Sequence, residues 1–322
     1  MEFSKHYATE SDLLMFINKQ YGIEGERIRL YRTSQGRVFF IQCQTGRKVL
    51  KLYMPAWTEG AIQTTRIIPY LDSCGYPVVK IIPTKTGAMY VNVDRAEGCC
   101  VGVLFEYAYG KNIELWNWGE YDKPLTINPL MRQFSRQVAV MHHLMDIYDE
   151  PLVNRGKKEY FDDMIYFMRR DNYDEAKTRG FEEYGNELWH MMEKCTVGFC
   201  HDDMHTGNTK YRAGKFTWMD FDRASLSYPV IDLRWLVNNN NFVIFDERAL
   251  ETSRRLFDEV YAGYSMERTL TDNDIAAVFH FIAIEHLDAN DMIIKNRSIN
   301  KEFMDGQYEW LMRWRDACNK II

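Results

Sequence analysis

Phe199-Cys-His-Asp-Asp-Met-His-Thr-Gly-Asn208 and, ten residues further on, Trp218-Met-Asp-Phe-Asp222 decide how this chain is read. The first stretch offers a carboxylate at Asp203 and an amide at Asn208, and the second offers carboxylates at Asp220 and Asp222. Between them, Thr209–Arg212 and Lys215–Asp220 read as two strands turning at Ala213-Gly214, a hairpin signal. A loop that opens into a hairpin can bring groups from both stretches to one point. Phosphoryl transfer is chemistry that needs such a set. One carboxylate positions and deprotonates the attacking hydroxyl, while an amide oxygen and a second carboxylate hold Mg²⁺ on the phosphates of a nucleotide.

The five-residue step from Asp203 to Asn208, with His201 two before the aspartate, matches the protein-kinase catalytic loop H-R-D-x-x-x-x-N. The fuller run, His201-Asp-Asp-Met-His-Thr-Gly-Asn208 with Met219-Asp-Phe-Asp222, resembles the H-G-D-x-H-x-G-N … D-F-D pattern of the aminoglycoside phosphotransferase and choline kinase family. Its flavour is that of the bacterial branch holding stress-response kinase A, spore-coat kinase-like proteins and homoserine kinase type II. Strong similarity covers residues 199–236. The resemblance implies a protein-kinase-like fold, with Asp203 as catalytic base, Asn208 and Asp220 as Mg²⁺ ligands and Asp222 as an auxiliary ligand. It casts His201 as a brace of the loop, His205 as a brace or a substrate contact, and Asp232 as a structural aspartate. Asp202 stands where the family has glycine. Two adjacent carboxylates cannot both face one metal-rich point without cost, so Asp202 is expected to turn away or to contact substrate.

Working outward, the first third of the chain reads as sheet plus one helix. Glu10–Gln20 has a short apolar stripe ended by Tyr21-Gly22. Arg27–Tyr31 alternates, and Arg37–Cys43 and Lys48–Tyr53 flank a turn at 44–47. Stretches 77–82, 89–93 and 100–105 supply further strand signals toward a five-stranded sheet, and Trp57–Leu71 reads as a helix that Pro69 threatens to end. By the resemblance, this part supplies the nucleotide site. Lys51 would neutralise phosphates, the turn Thr33-Ser-Gln-Gly-Arg37 would cover them through Ser34 and Gly36, and main-chain groups of Glu106 and Ala108 would hold the base at a hinge near 105–110. The helix carboxylate that should pair with Lys51 is not evident. Glu59 is the only acid in that helix and sits early, while Thr64 lies near the expected position.

From Pro129 onward the periodicity is helical. Met131, Phe134, Val138, Met141 and Leu144 recur every three or four residues, and further tracts lie near 183–195, 247–264 and 273–288. Strands first and helices after give an α+β fold with two unequal lobes, a small β-rich nucleotide lobe at 1–106 and a larger helical catalytic and substrate lobe at 107–322. The charge divides likewise. Residues 1–106 carry 13 Lys+Arg against 10 Asp+Glu, and the remainder carries 27 against 36. A basic half suits an anion and an acidic half suits a cation. Segments 114–121 and 159–173 mix aromatic rings with carboxylates and 288–296 adds Asp288 and Asp291, a set that suits a cationic amine on a small hydroxyl acceptor.

With 322 residues, 46% of them apolar and 27% charged, the composition is that of an ordinary globular protein. A net charge of -6 argues against a nucleic-acid binder, and the apolar runs are too short for a bilayer span. Seven cysteines without metal spacing read as reduced thiols, and the start shows no leader pattern, so a cytoplasmic location is expected. The expected activity is an ATP- or GTP-dependent, Mg²⁺-requiring phosphotransferase. Its alternatives are a Ser/Thr protein kinase, a silent nucleotide-binding relative and, least, a metal-dependent phosphohydrolase. Oligomeric state is not legible.

Overall fold

Alternation along the first strands is what builds the sheet that carries Lys51. The computed structural model describes residues 9–33, 36–95, 98–118, 123–154, 157–296 and 299–320. Strands β1 (Gly25–Thr33), β2 (Gly36–Cys43), β3 (Gly46–Tyr53), β4 (Val91–Arg95) and β5 (Gly98–Glu106) form an antiparallel sheet ordered β1-β2-β3-β5-β4. Helix α1 (Glu10–Tyr21) starts where the Thr9 hydroxyl accepts from Asp12 N–H and stops at Gly22, whose φ of 67° is the left-handed conformation that ends helices. It lays Leu13, Ile17 and Tyr21 against Ile28, Phe39, Ile41, Leu50, Leu52, Val93 and Leu104 of one sheet face. Each such side chain contributes about 1.5–3 kcal/mol when buried. The period-2 pattern sends Val38, Val49, Lys51 and Tyr53 to the opposite face.

One expectation for this part is corrected. Residues 77–82 are not a strand; they make only isolated bridges, Val78 with Trp218 and Ile81 with Phe105. Pro77 has no N–H to give a ladder, and its carbonyl instead accepts from Trp218 N–H while Val79 N–H returns to Trp218 O. The helix read over Trp57–Leu71 is present as α2 (Thr58–Ser73), which runs through Pro69, held by a buried stripe that includes Ala61, Ile67, Ile68 and Leu71. The expected hairpin is present as β7 (Thr209–Arg212) and β8 (Lys215–Trp218), with Ala213 and Gly214 both at positive φ, as a tight two-residue turn requires.

The chain divides into two compact units. The first comprises residues up to Ile113 together with Pro151–Val153 and Thr206–Ala224; the second comprises Glu114–Glu150, Asn154–His205 and Ser225 onward. In the second, the stripe read from sequence is α3 (Leu130–Met145), which buries Met131, Phe134, Val138 and Met141 and ends its stripe on Met145. It packs on α7 (Ala249–Tyr264), where Gly263 permits close approach: a Cβ there would lie 2.3 Å from Arg132 O. The same unit holds α4 (Lys157–Arg170), α5 (Glu175–Met192), α6 (Val230–Val237), α8 (Asp272–His280), α9 (Ile282–Asn296) and α10 (Lys301–Asn319), with the short strands β6 (Gly198–Cys200) and β9 (Ser225–Ser227) paired antiparallel. Sequence periodicity leaves α4, α6 and α10 unassigned. No helix among the described residues is long and apolar enough to cross a membrane, and all seven cysteines are free thiols.

Candidate active site

In the first unit, Lys51 and the carboxylates of the Asp220-Phe-Asp222 turn meet. Lys51 Nζ lies 2.6 Å from Asp220 Oδ1 and also donates to Asp222 Oδ2. The Tyr53 hydroxyl, two residues along the same strand face, donates to Asp222 Oδ1 at 2.6 Å. Burial works against charge on Lys51, but Asp222 and Asp220 outweigh it and hold its pKa above the usual lysine value. Burial likewise pushes the Asp222 carboxyl up, with Lys51 opposing. Asp220 stays partly open to solvent while Asp222 is fully enclosed, so the two carboxylates are not equivalent.

Backbone conformation sets this turn. Asp220 has φ 68° and ψ 54°, a left-handed conformation that Asp tolerates better than most side chains, and it opens a 3-10 turn over Phe221–Arg223. The preceding Met219 N–H donates to Asn208 O at 3.0 Å, which ties the amide-bearing residue to the carboxylate-bearing one. Asn208 itself is buried. The donor set of Asn208, Asp220 and Asp222 is all hard oxygen, which is the chemistry a small divalent cation takes. Lys51 beside it is the cation expected for phosphates.

Glu59 and Thr64 do not serve Lys51. Glu59 is exposed and the Thr64 hydroxyl donates to Gly60 O at 2.9 Å. Gly36 is required for a reason other than phosphate contact: it faces Tyr53 in the ladder, and a Cβ on it would meet Leu52 O at 2.3 Å. Ser34 lies outside the described residues. Glu106 spends its side chain on Lys48, with Oε2 2.6 Å from Nζ, and its N–H on Lys80 O, so a base contact at this residue would use its carbonyl. Ala108 is half-buried just past the end of β5.

In the second unit, Asp232 organises the start of the catalytic-type loop. This fully buried carboxylate accepts from His201 N–H at 2.7 Å, Asp202 N–H at 2.8 Å and the Cys200 thiol at 3.2 Å. His142 Nε2 lies 2.9 Å from it and must donate, because the carboxylate can only accept; His142 Nδ1 then faces the Tyr264 hydroxyl at 2.9 Å. Asp202 is buried with φ 62°, a left-handed backbone that glycine adopts without strain, which fits the glycine of the family pattern at this position. That backbone turns the adjacent Asp203 toward partial exposure. His205 reaches back, its N–H donating to Asp203 O at 2.9 Å and its Nε2 lying 3.6 Å from Asp203 Oδ1. Its ring lies 5.9 Å from that of Trp235. Glu285 on α9 is half-buried, and desolvation raises its pKa, with Arg234 opposing and Asp288 and Asp203 reinforcing.

Sequence reading did not find Tyr53, Gln63 or His142. Each had a faint signal. Tyr53 shares a strand face with Lys51, whereas Gln63 and His142 are polar residues on the buried stripes of their helices, where a buried polar group needs a partner.

Comparison with known proteins supplies the family. The profile of the phosphotransferase enzyme family matches residues 31–266, well over half of the chain. Amicoumacin kinase of Bacillus subtilis (strain 168) is 23% identical over 292 residues, covering 86% of this chain and 83% of that protein. Among solved structures, amicoumacin kinase hAmiN in complex with AMP-PNP, Ca²⁺ and Ami superposes with a TM-score of 0.74 at 19% identity, covering 97% of this chain and 93% of that one. The microcompartment-associated aminopropanol kinase gives 0.68 at 16% identity, covering 96% and 95%. The fold is shared, the family profile spans the Lys51 strand and the Asp203–Asp222 segment alike, and this chain belongs to the phosphotransferase enzyme family.

Proposed function

We propose that this phosphotransferase moves the γ-phosphate of ATP (or GTP) to a hydroxyl of a small, cationic acceptor with the help of Mg²⁺. The observation that carries the reading is the convergence of Lys51 on Asp220 and Asp222, residues 169 and 171 positions apart in the chain. A salt-bridged lysine beside two carboxylates, with Asn208 tied to the same turn, is a ready-made place for phosphates and a divalent cation. In this reading Asp203 holds the acceptor hydroxyl and takes its proton, helped in orientation by His205. Asn208 and Asp220 are the metal ligands, with Asp222 as the auxiliary one, and Lys51 turns from the carboxylates to the α/β-phosphates. The metal would supply charge neutralisation on the phosphate oxygens. Gly36 and Ser34 cover the phosphates, and main-chain groups of Glu106 and Ala108 hold the base. His201 and Asp202 fix the loop by their N–H groups rather than by proton transfer.

The functional division follows the sequence reading, with nucleotide handled by residues 1–106 and acceptor by 107–322, and a cytoplasmic site of action. The acidic groups near Asp203, Glu285 and Asp288, favour an amine on the acceptor. Relatives named for amicoumacin and aminopropanol support a small molecule over a protein substrate. The test is a turnover screen with Mg·ATP and Mg·GTP against amino alcohols, homoserine, aminoglycosides, amicoumacin and a generic Ser/Thr protein substrate. Phosphorylation of an amine-bearing small molecule supports the reading. Turnover confined to the protein substrate, or nucleotide binding with no transfer to any acceptor, contradicts it.

A further inference from the structure

Lys51 receives no carboxylate from α2 among the described residues, yet a neutral side chain of that helix, Gln63, reaches the residue that closes the Asp220–Asp222 turn. The side chain is fully buried on the inner stripe of α2. Its Nε2 donates to Ala224 O at 2.6 Å and its Oε1 accepts from Val153 N–H at 2.6 Å. The orientation of the amide is fixed by its partners, because a backbone carbonyl only accepts and a backbone N–H only donates. Ala224 closes the 3-10 turn that Asp220 opens, donating its own N–H to Phe221 O at 3.0 Å. The amide therefore clamps the far end of the segment whose near end carries the strained φ of Asp220 and whose middle carries Asp222.

We propose that Gln63 is a positioning residue for phosphotransfer, holding the Asp220–Asp222 turn to α2 through a neutral amide where a helix carboxylate paired with the lysine would otherwise be expected. The chemistry explains the residue type. A carboxylate at 63 could still accept from Val153 N–H but would set an acceptor against the Ala224 carbonyl, leaving both without a proton between them. Leucine would fill the space and strand the buried Ala224 carbonyl and the part-buried Val153 N–H. The kinetic part of this inference rests on the proposed function; the structural part does not.

The test compares Q63E, Q63L and, as a matched destabilising control in the α1–sheet core, I17V. In nucleotide-free protein, amide hydrogen exchange over residues 221–225 should speed up at least about tenfold in Q63E and Q63L and stay unchanged in I17V. In steady-state assays, kcat should fall about ten- to a hundredfold in Q63E with the acceptor KM held within about twofold, the range a small displacement of catalytic groups produces. Wild-type kcat in Q63E, unchanged exchange over 221–225, or an equal kcat loss in I17V at an equal fall in Tm overturns the assignment. A wild-type protein without turnover sinks the phosphotransfer reading, and the exchange result then decides alone whether Gln63 holds the turn.

Discussion

Replacing Asp232 with alanine removes the acceptor for three strong donors at once: His201 N–H at 2.7 Å, Asp202 N–H at 2.8 Å and His142 Nε2 at 2.9 Å. The Cys200 thiol at 3.2 Å adds a weak fourth. The carboxylate is wholly buried, so water cannot take over without opening the packing between α6 and β6. Two backbone N–H groups left bare cost about 1–3 kcal/mol each. His142 loses its anionic partner, and breaking a buried charge-assisted contact costs on the order of 3–5 kcal/mol in total. These overlap rather than add, giving about 3–5 kcal/mol for D232A. D232N keeps one acceptor oxygen but turns an NH₂ toward a donor, for about 2–3 kcal/mol. Urea unfolding followed by far-UV circular dichroism measures both, and a cycle with H142A isolates the imidazole contact, expected at about 1–2 kcal/mol. A loss below about 1 kcal/mol in D232A, or D232N indistinguishable from wild type, would refute the idea that this carboxylate organises the loop before Asp203.

Other consequences follow from the same geometry. K51M should weaken Mg·nucleotide binding and lower turnover by roughly a hundredfold or more, whereas D220A should abolish the Mg²⁺ dependence of nucleotide binding; calorimetric titration with and without Mg²⁺ checks both. His280 and His286 are buried and their pKa values are lowered to about 4, so the folded state keeps them neutral. Between pH 6.5 and 4 the unfolded chain therefore binds protons that the folded chain does not. Their contribution is complete above pH 6.5, is lost as the pH falls toward 4, and amounts to roughly 3 kcal/mol each. The double substitution H280L/H286L should flatten stability against pH across that window in urea titrations; an unaltered slope would show that other groups set it.

What was legible in the sequence is what is local. The stretch from Phe199 to Asp222 carries its chemistry in fixed spacings, and alternation about Lys51 puts it on one sheet face. Asp232 could be read because the family pattern includes it. The partners that make these residues work are distant. Gln63 meets Val153 and Ala224 across 90 and 161 positions, and His142 meets Asp232 across 90, so no window of sequence holds both ends of either contact. Helix α10 had a readable stripe in Met304, Trp310, Leu311, Trp314 and Cys318, but its polar Gln307 breaks the pattern. Gln307 is buried because it serves Phe242 O at 2.7 Å, again a tertiary reason. The strand signal at 77–82 failed in the opposite way: apolar residues were present, but Pro77 removed a donor and Trp218 claimed the backbone.

Transfer of radiolabel from γ-labelled nucleotide to an accepted hydroxyl, measured for wild type and D203N beside nucleotide affinity on the same preparations, tests the central claim most directly. The account predicts that D203N binds Mg·nucleotide within about threefold of wild type while transfer falls by a factor of about 10² or more, because the carboxylate acts on the acceptor proton and not on the nucleotide. Full transfer by D203N, or a loss of transfer matched by a loss of nucleotide binding, would contradict it.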